Sequence, residues 1–300
     1  MAEPITLFTL LATHPNTKAM KSGEVSSDLV KFKFADVKVS NTEFKPLVRQ
    51  NRYDLGELAI VTYLQAREYG LPYILLPATV VGRNQHHTIF YNSDRGRLNP
   101  GELNGKRVGV RAYTQTTGAW VRGFLSEDFG VDINGIRWVT FEDPHIAQYH
   151  DPAIAERAPQ GKIIKQMLID GELDAAILGD VKEEGPLRHL FHDHEAAGRG
   201  WARTHGGVPI NHLMVMRKSI ADERPEIVRE VYRVLKESRA AAGSVYESGE
   251  FDPLRFGIAN IRKSLATIIG YALEQKLLKE RVTPEEIFAP AARILGAAAA

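Results

Sequence analysis

The stretch Lys106-Arg-Val-Gly-Val-Arg-Ala-Tyr-Thr-Gln-Thr-Thr-Gly-Ala-Trp-Val-Arg-Gly-Phe-Leu125 reads as a short buried strand running into a hydroxyl-rich helix start. Val108 and Val110 carry the strand, and Trp120, Val121, Phe124 and Leu125 form the apolar stripe of the helix. Thr114, Thr116 and Thr117 stand at the junction. Unpaired backbone N–H groups and the positive end of the helix dipole favour a carboxylate or phosphate there. Threonines in that place also serve as plain N-caps, so the residues alone leave both readings open. Arg111 at the strand end favours the anion site, because cations at a strand's carboxyl end commonly face the crevice of an α/β sheet. Arg122, deeper in the helix, is a second-rank candidate that could equally face solvent.

Working outward, strand-like and helical runs alternate: strand 5–12, helix 15–21, strand 29–37, helix 44–51, then a strand at 58–61 leading into helix 63–69. Strands at 73–80 and 87–92 follow, and beyond Leu125 come strand 136–141, helix 162–170 and strand 175–178. Ile210, His212, Met214 and Met216 alternate at period two within a strand at 208–216, so His212 is expected on the face of Ile210 and Met214. After that only helices are expected, at 224–242, 258–275 and 284–295. This is an α/β chain that leaves a first lobe near 107 and returns near 208. Lobe I is 1–106 plus 208–300, including the C-terminal helices, and lobe II is 107–207. Two crossovers between lobes make a cleft, where small ligands commonly bind.

Composition narrows the function classes. The 300 residues are 44% hydrophobic and 25% charged, with 38 Lys plus Arg against 37 Asp plus Glu. That balance provides no global field for nucleic acid or a membrane surface, so local clusters must do any anion recognition. No run approaches the ~18 apolar residues that span a bilayer. The chain has no cysteine, which excludes disulfides, thiolate nucleophiles and cysteine-ligated zinc or iron–sulfur sites. Its opening, Met-Ala-Glu-Pro-Ile-Thr-Leu-Phe-Thr-Leu-Leu, reads as a first strand rather than a secretion signal, and the expected location is the cytoplasm.

Several segments together resemble the 4,5-dihydroxyphthalate decarboxylase family. They are 106–125, Tyr53-Asp-Leu-Gly-Glu57, Arg83 and His87 ahead of Ile89-Phe-Tyr-Asn92, 161–177, and Arg281-Val-Thr-Pro-Glu-Glu-Ile-Phe-Ala-Pro290. The resemblance implies a two-lobed type II periplasmic-binding-protein-like architecture and the release of CO2 from a hydroxylated aromatic acid by ring protonation. The chain departs from the family pattern at Asn84-Gln-His86 and at 111–116, so the resemblance speaks for the scaffold more than for the ring substituents. The alternative function is a solute-binding protein that closes on a small anion without chemistry. A biosynthetic enzyme on the same scaffold is a third class. The fold alone does not separate them.

Ring protonation needs an acid, and histidine titrates near neutrality. His87 is the first candidate, matching the family pattern beside Arg83; a backbone-bonded histidine at a strand edge is its plain alternative. His212 and Glu57 complete the catalytic candidates, the latter as a base or a hydrogen-bond partner for a phenol. Arg83 and Arg111 are expected to grip carboxylates through paired hydrogen bonds, with His14, Thr116 and Thr117 lining the ligand. Asp180, at another strand end, could face the ligand or cap the next turn. His189, His192 and His194 read as a solvated helix end. No organic cofactor is expected; a divalent metal, if bound, would fall to His14, His87, His212 and Glu57. The expected partner is a small aromatic acid, with no nucleic acid and no membrane, and a homo-oligomer is left open.

Overall fold

The computed structural model describes residues 3–243 and 251–299. The strands in chain order are β1 (Ile5–Leu10), β2 (Val30–Phe34), β3 (Leu55–Ala59), β4 (Tyr73–Gly82), β5 (Ile89–Asn92), β6 (Arg107–Val110), β7 (Arg137–Thr140), β8 (Ala155–Arg157), β9 (Ala175–Ile177), β10 (Leu187–His189) and β11 (Ile210–Arg217). The helices are α1 (Lys18–Ser22), α2 (Phe44–Gln50), α3 (Ile60–Glu68), α4 (Thr116–Phe129), α5 (Ile164–Ile169), α6 (His194–His205), α7 (Lys218–Glu223), α8 (Pro225–Ala241), α9 (Ile258–Glu274) and α10 (Pro284–Leu295).

The chain divides into two compact units. Unit 1 comprises Met1–Arg83, Gly206–Ile269 and Arg281–Ala300; unit 2 comprises Asn84–His205 and Gly270–Glu280. The first change of unit falls after Arg83, whereas the sequence reading placed it at 107. The reason is β5, which pairs antiparallel with both β9 and β10 and so belongs to the second sheet. Besides the two crossovers, the last turn of α9 and the segment after it pack in unit 2. Gly123 of α4 makes room for them, since a Cβ there would lie 2.1 Å from the Tyr271 ring.

Unit 1 holds a five-stranded sheet in the order β2-β1-β3-β11-β4, with β1, β2 and β3 parallel and β11 antiparallel to both its neighbours. β3 is buried along its whole length, as a central strand covered on both faces must be. α8 presents Ile227, Val228, Val231, Tyr232, Val234 and Leu235 to a core that also takes Leu7, Leu55, Met214 and Met216. Ser238 on the same helix accepts from the Met20 amide and donates to the Asn16 carbonyl, which anchors α1. α10 starts as its sequence announces: Thr283 and Glu286 form a reciprocal capping box around Pro284.

Unit 2 holds a six-stranded sheet in the order β10-β5-β9-β6-β7-β8, with β6, β7, β8 and β9 parallel. All three tryptophans of the chain, Trp120, Trp138 and Trp201, lie buried in this unit. No described helix is long and apolar enough to cross a membrane.

Candidate functional site

In each unit the candidate residues gather at the carboxyl edge of the parallel strands, the edge where α/β sheets place ligands. In unit 1, His14 follows β1, Glu57 is the middle residue of β3, Arg83 follows β4, and His212 lies near the start of antiparallel β11. The Arg83 amide donates to the Pro209 carbonyl at 3.0 Å, which ties the end of β4 to the start of β11.

Glu57 is the centre of this group. Its side chain is fully buried, and its Oε2 lies 2.8 Å from His14 Nε2, whose own side chain is 26% exposed. Burial pushes the carboxyl toward its neutral form. The His14 hydrogen bond, the charges of His212 and His14 and the Ser40 hydroxyl outweigh it, so Glu57 is held below the ordinary carboxylate range. Its Oε1 is buried and makes no hydrogen bond of ordinary geometry. Lys21 brings a further cation: its ammonium donates to the Leu11 carbonyl at 2.7 Å, and burial lowers its pKa against the opposing pull of Glu57 and Asp36. Lys21 and Ser40 were not singled out from sequence, because each belongs to a segment that carries no motif.

His212 pairs with Ala59 in β3, two pairs from Glu57 and Met214. Ile210 and Met214 are fully buried, whereas His212 is half-buried with its ring edge-on to Phe44 at 5.2 Å. The pairing of β11 with β4 shifts register on both sides of His212, so simple alternation fails there.

In unit 2, His87 stands in a single 3-10 turn, His86–Thr88, rather than at the first position of β5. Its Nε2 lies 2.8 Å from Asp180 Oδ1, and the Asp180 side chain is 60% exposed. Asp180 is brought there by β9, whose following residues Leu178 and Gly179 donate to the Thr88 carbonyl. His86 behaves differently from its neighbour. It is buried and stacked on Phe124 at 4.1 Å, with no hydrogen-bond partner on either ring nitrogen. Burial, together with the charges of His87 and His194, lowers its pKa to about 3.

The later histidines are not a solvated helix end. His189 belongs to β10, and only His194 opens α6; their rings are 4.4 Å apart, and that of His194 is 6.0 Å from His87. His192 instead accepts from Arg97. Two glycines in α6, Gly198 and Gly200, hide that helix from a propensity reading.

Arg111 follows β6 with a loose contact to Glu142, 3.9 Å from Nε to Oε2, and keeps a third of its side chain exposed. Thr116 and Thr117 are buried as the first two residues of α4, and the N-cap is Gln115, whose side chain makes no capping hydrogen bond. The threonines are therefore not caps. Arg122 is wholly buried instead of facing solvent.

Among the described residues no group of three or more His, Asp or Glu side chains is arranged to hold a metal ion. His14, Glu57 and His212 belong to unit 1, and His87 belongs to unit 2.

No family model matches the chain. In sequence it is similar to the 4,5-dihydroxyphthalate decarboxylase of Comamonas testosteroni, 32% identical over 203 residues that cover 63% of this chain and 62% of that protein. The enzyme of the same name from Pseudomonas putida is 31% identical over 169 residues, covering 52% and 65% respectively. The matches span less than two thirds of either relative. In structure the chain resembles the alkanesulfonate-binding protein SsuA of Xanthomonas axonopodis pv. citri, with a TM-score of 0.55, 15% identity and coverage of 96% and 99% of the two chains. A putative periplasmic sulfonate-binding protein of Methylobacillus flagellatus KT gives a TM-score of 0.55 at 10% identity, with coverage of 99% and 97%. The fold is that of the type II periplasmic-binding proteins.

Proposed function

We propose that this chain is a carboxy-lyase that releases CO2 from a hydroxylated aromatic carboxylic acid of the 4,5-dihydroxyphthalate type. The observation that carries the reading is the fully buried Glu57 carboxyl within 2.8 Å of His14 Nε2, its charge favoured by that bond and the neighbouring histidines. A protein that merely captures anions gains nothing from a buried carboxylate, which repels its ligand. A phenol, by contrast, needs an acceptor for its O–H as electrons move into the ring. The names of the two similar decarboxylases support the same reaction class.

The roles follow from the chemistry. Glu57, oriented by His14 and flanked by His212, accepts the hydrogen bond of the phenol. His87, held by Asp180, gives its proton to the ring carbon that bears the departing carboxylate. The carbon–carbon bond then breaks, its electron pair restores the aromatic ring, and CO2 leaves, so one proton is consumed per turnover. Arg111, Thr116 and Thr117 hold the retained carboxylate, and Arg83 supplies a second guanidinium.

The test is gas evolution from a panel of hydroxyphthalates and hydroxybenzoates, with and without a chelator. His87→Ala is expected to lower turnover ~10² to 10⁴-fold, the usual range for a lost general acid; an unchanged rate removes His87 from the mechanism. The fold shared with sulfonate-binding proteins favours one second reading, a solute-binding protein. Tight binding of an aromatic acid without turnover would establish that reading instead.

A further inference from the structure

The start of α4 is open in an unusual way. Its N-cap side chain makes no capping bond, and the Gln115 Oε1 is buried without a hydrogen-bond partner. The first-turn N–H groups of any α-helix lack intrahelical acceptors, so this terminus is receptive to an anion. A helix terminus alone proves little. Arg122 supplies the second observation.

The Arg122 side chain runs back toward the helix start, as long helical side chains do. Its Nη1 stands 3.2 Å from the point a Cβ on Gly118 would occupy, so the guanidinium lies against the first turn. Nε donates to Gln275 Oε1 at 2.8 Å and Nη2 to the Tyr113 carbonyl at 2.6 Å. The guanidinium sits 4.1 Å from the Tyr113 ring centroid and 5.2 Å from that of Trp138. Nη1 is buried and has no hydrogen-bond partner.

The charge is also unmatched. Ion pairs in unit 2 take up Lys106, Arg107, Arg111 and Arg157, and none among the described residues takes up Arg122. Asp151 is near enough to be felt electrostatically but forms no ion pair with it. A buried cation without a counter-charge is a costly thing to keep, and apolar residues of similar volume commonly replace buried ions without loss of fold. An anion arriving at the α4 terminus would be its missing counter-charge.

We propose that Arg122 is a positioning residue of a carboxylate subsite at the start of α4, reinforcing the helix terminus with a buried charge while its bond to Tyr113 fixes the preceding turn. The identity of the ligand as an aromatic acid rests on the function proposed above; the subsite itself rests on Arg122 and the uncapped helix.

The probes are phthalate, a dianion, and dimethyl phthalate, the neutral diester with no free carboxylate, titrated calorimetrically into wild-type protein, Arg122→Met and Arg122→Lys. Arg122→Met is expected to weaken phthalate about tenfold to a hundredfold, as for a lost charge in a medium of intermediate dielectric. The lysine variant should recover part of the loss, and the neutral diester should be affected severalfold less. Equal losses for both probes would reduce Arg122 to a structural part and overturn the proposal, as would unchanged affinity in folded variants. If the methionine variant does not fold, wild-type NMR decides: the Arg122 Nε–H resonance must move with the Thr117 and Gly118 amides as phthalate is added, and a static resonance sinks the idea. Failure of wild-type protein to bind phthalate at all would overturn the aromatic-acid reading together with this one, whereas binding that ignores Arg122 overturns this one alone.

Discussion

Two imidazole–carboxylate pairs of equal length occupy equivalent places in the two units. His14–Glu57 and His87–Asp180 are both 2.8 Å contacts at the carboxyl edge of a sheet, yet Glu57 is fully buried and Asp180 is 60% exposed. Geometry is therefore the same and solvent is not. A carboxylate sealed from water depends on its partners for its charge, while one that faces water has the solvent as a substitute. His86 completes the series as an imidazole with no carboxylate at all, stacked on Phe124 and kept neutral by burial. The series places the strongest dependence on protonation where water is excluded.

The largest expected effect tests that last member. The folded pKa of His86 is lowered from 6.5 to about 3, so the folded state disfavours its protonation. The stability this contributes is complete above pH 6.5 and is lost as pH falls from there through about 3. At 1.36 kcal/mol per unit, the loss amounts to about 4 kcal/mol by pH 3. Because every tryptophan lies in unit 2, tryptophan fluorescence during acid titration follows this unit. His86→Phe should keep the stacking, remain close to wild-type stability at pH 7 and move the acid transition to lower pH. An unmoved transition would show that His86 finds a partner for its proton.

Next comes Glu57→Gln, which keeps size and hydrogen-bonding reach while removing the charge. Turnover should fall at least about a hundredfold, near 2.7 kcal/mol of barrier, with ligand affinity preserved or improved. Stability should fall by about 1.5–3 kcal/mol at pH 7, the worth of a hydrogen bond to a charged group, read from urea melts. Sign matters for the wild type as well. The folded pKa of Glu57 lies below its ordinary value of 4.5, so its contribution is present above pH 4.5 and disappears as pH falls below that. In Glu57→Gln this acid-linked loss should be absent.

Much of the fold was legible because its long elements obey their periods. α2, α8, α9 and α10 fall within a residue or two of the sequence reading. Less legible were β8 and β10, three residues each, and α6 with its internal glycines, since so short a run or so weak a propensity carries no periodic signal. β5 was read as a strand, but its place in the second sheet was not, because pairing partners are set by tertiary packing. At the site, Glu57 stood out as an acid in an apolar run, and the structure pairs it with His14. Arg122 stood in the sequence as a second-rank anion-binding candidate that could equally face solvent; only the absence of a Cβ at Gly118, four residues earlier, hints that the side chain has room to turn inward.

Asp180→Asn is expected to have the smallest effect, and it decides whether burial or mere contact sets the strength of these pairs. Asn can still accept a hydrogen bond from His87, and water reaches the site to replace what is lost. Exposed ion pairs contribute about 0–1 kcal/mol, so stability should change by less than about 1 kcal/mol. Turnover should fall no more than about tenfold, with the alkaline limb of the pH–rate profile moving to lower pH because the imidazolium that donates the proton loses a nearby negative charge. Raising ionic strength in the wild type should imitate part of this shift, since an exposed charge is screened, and should leave the Glu57 pair untouched. A loss in Asp180→Asn as deep as that in Glu57→Gln would break the comparison: the two pairs would then be equivalent despite their different exposure, and the proton route would depend on Asp180 itself rather than on the water around it.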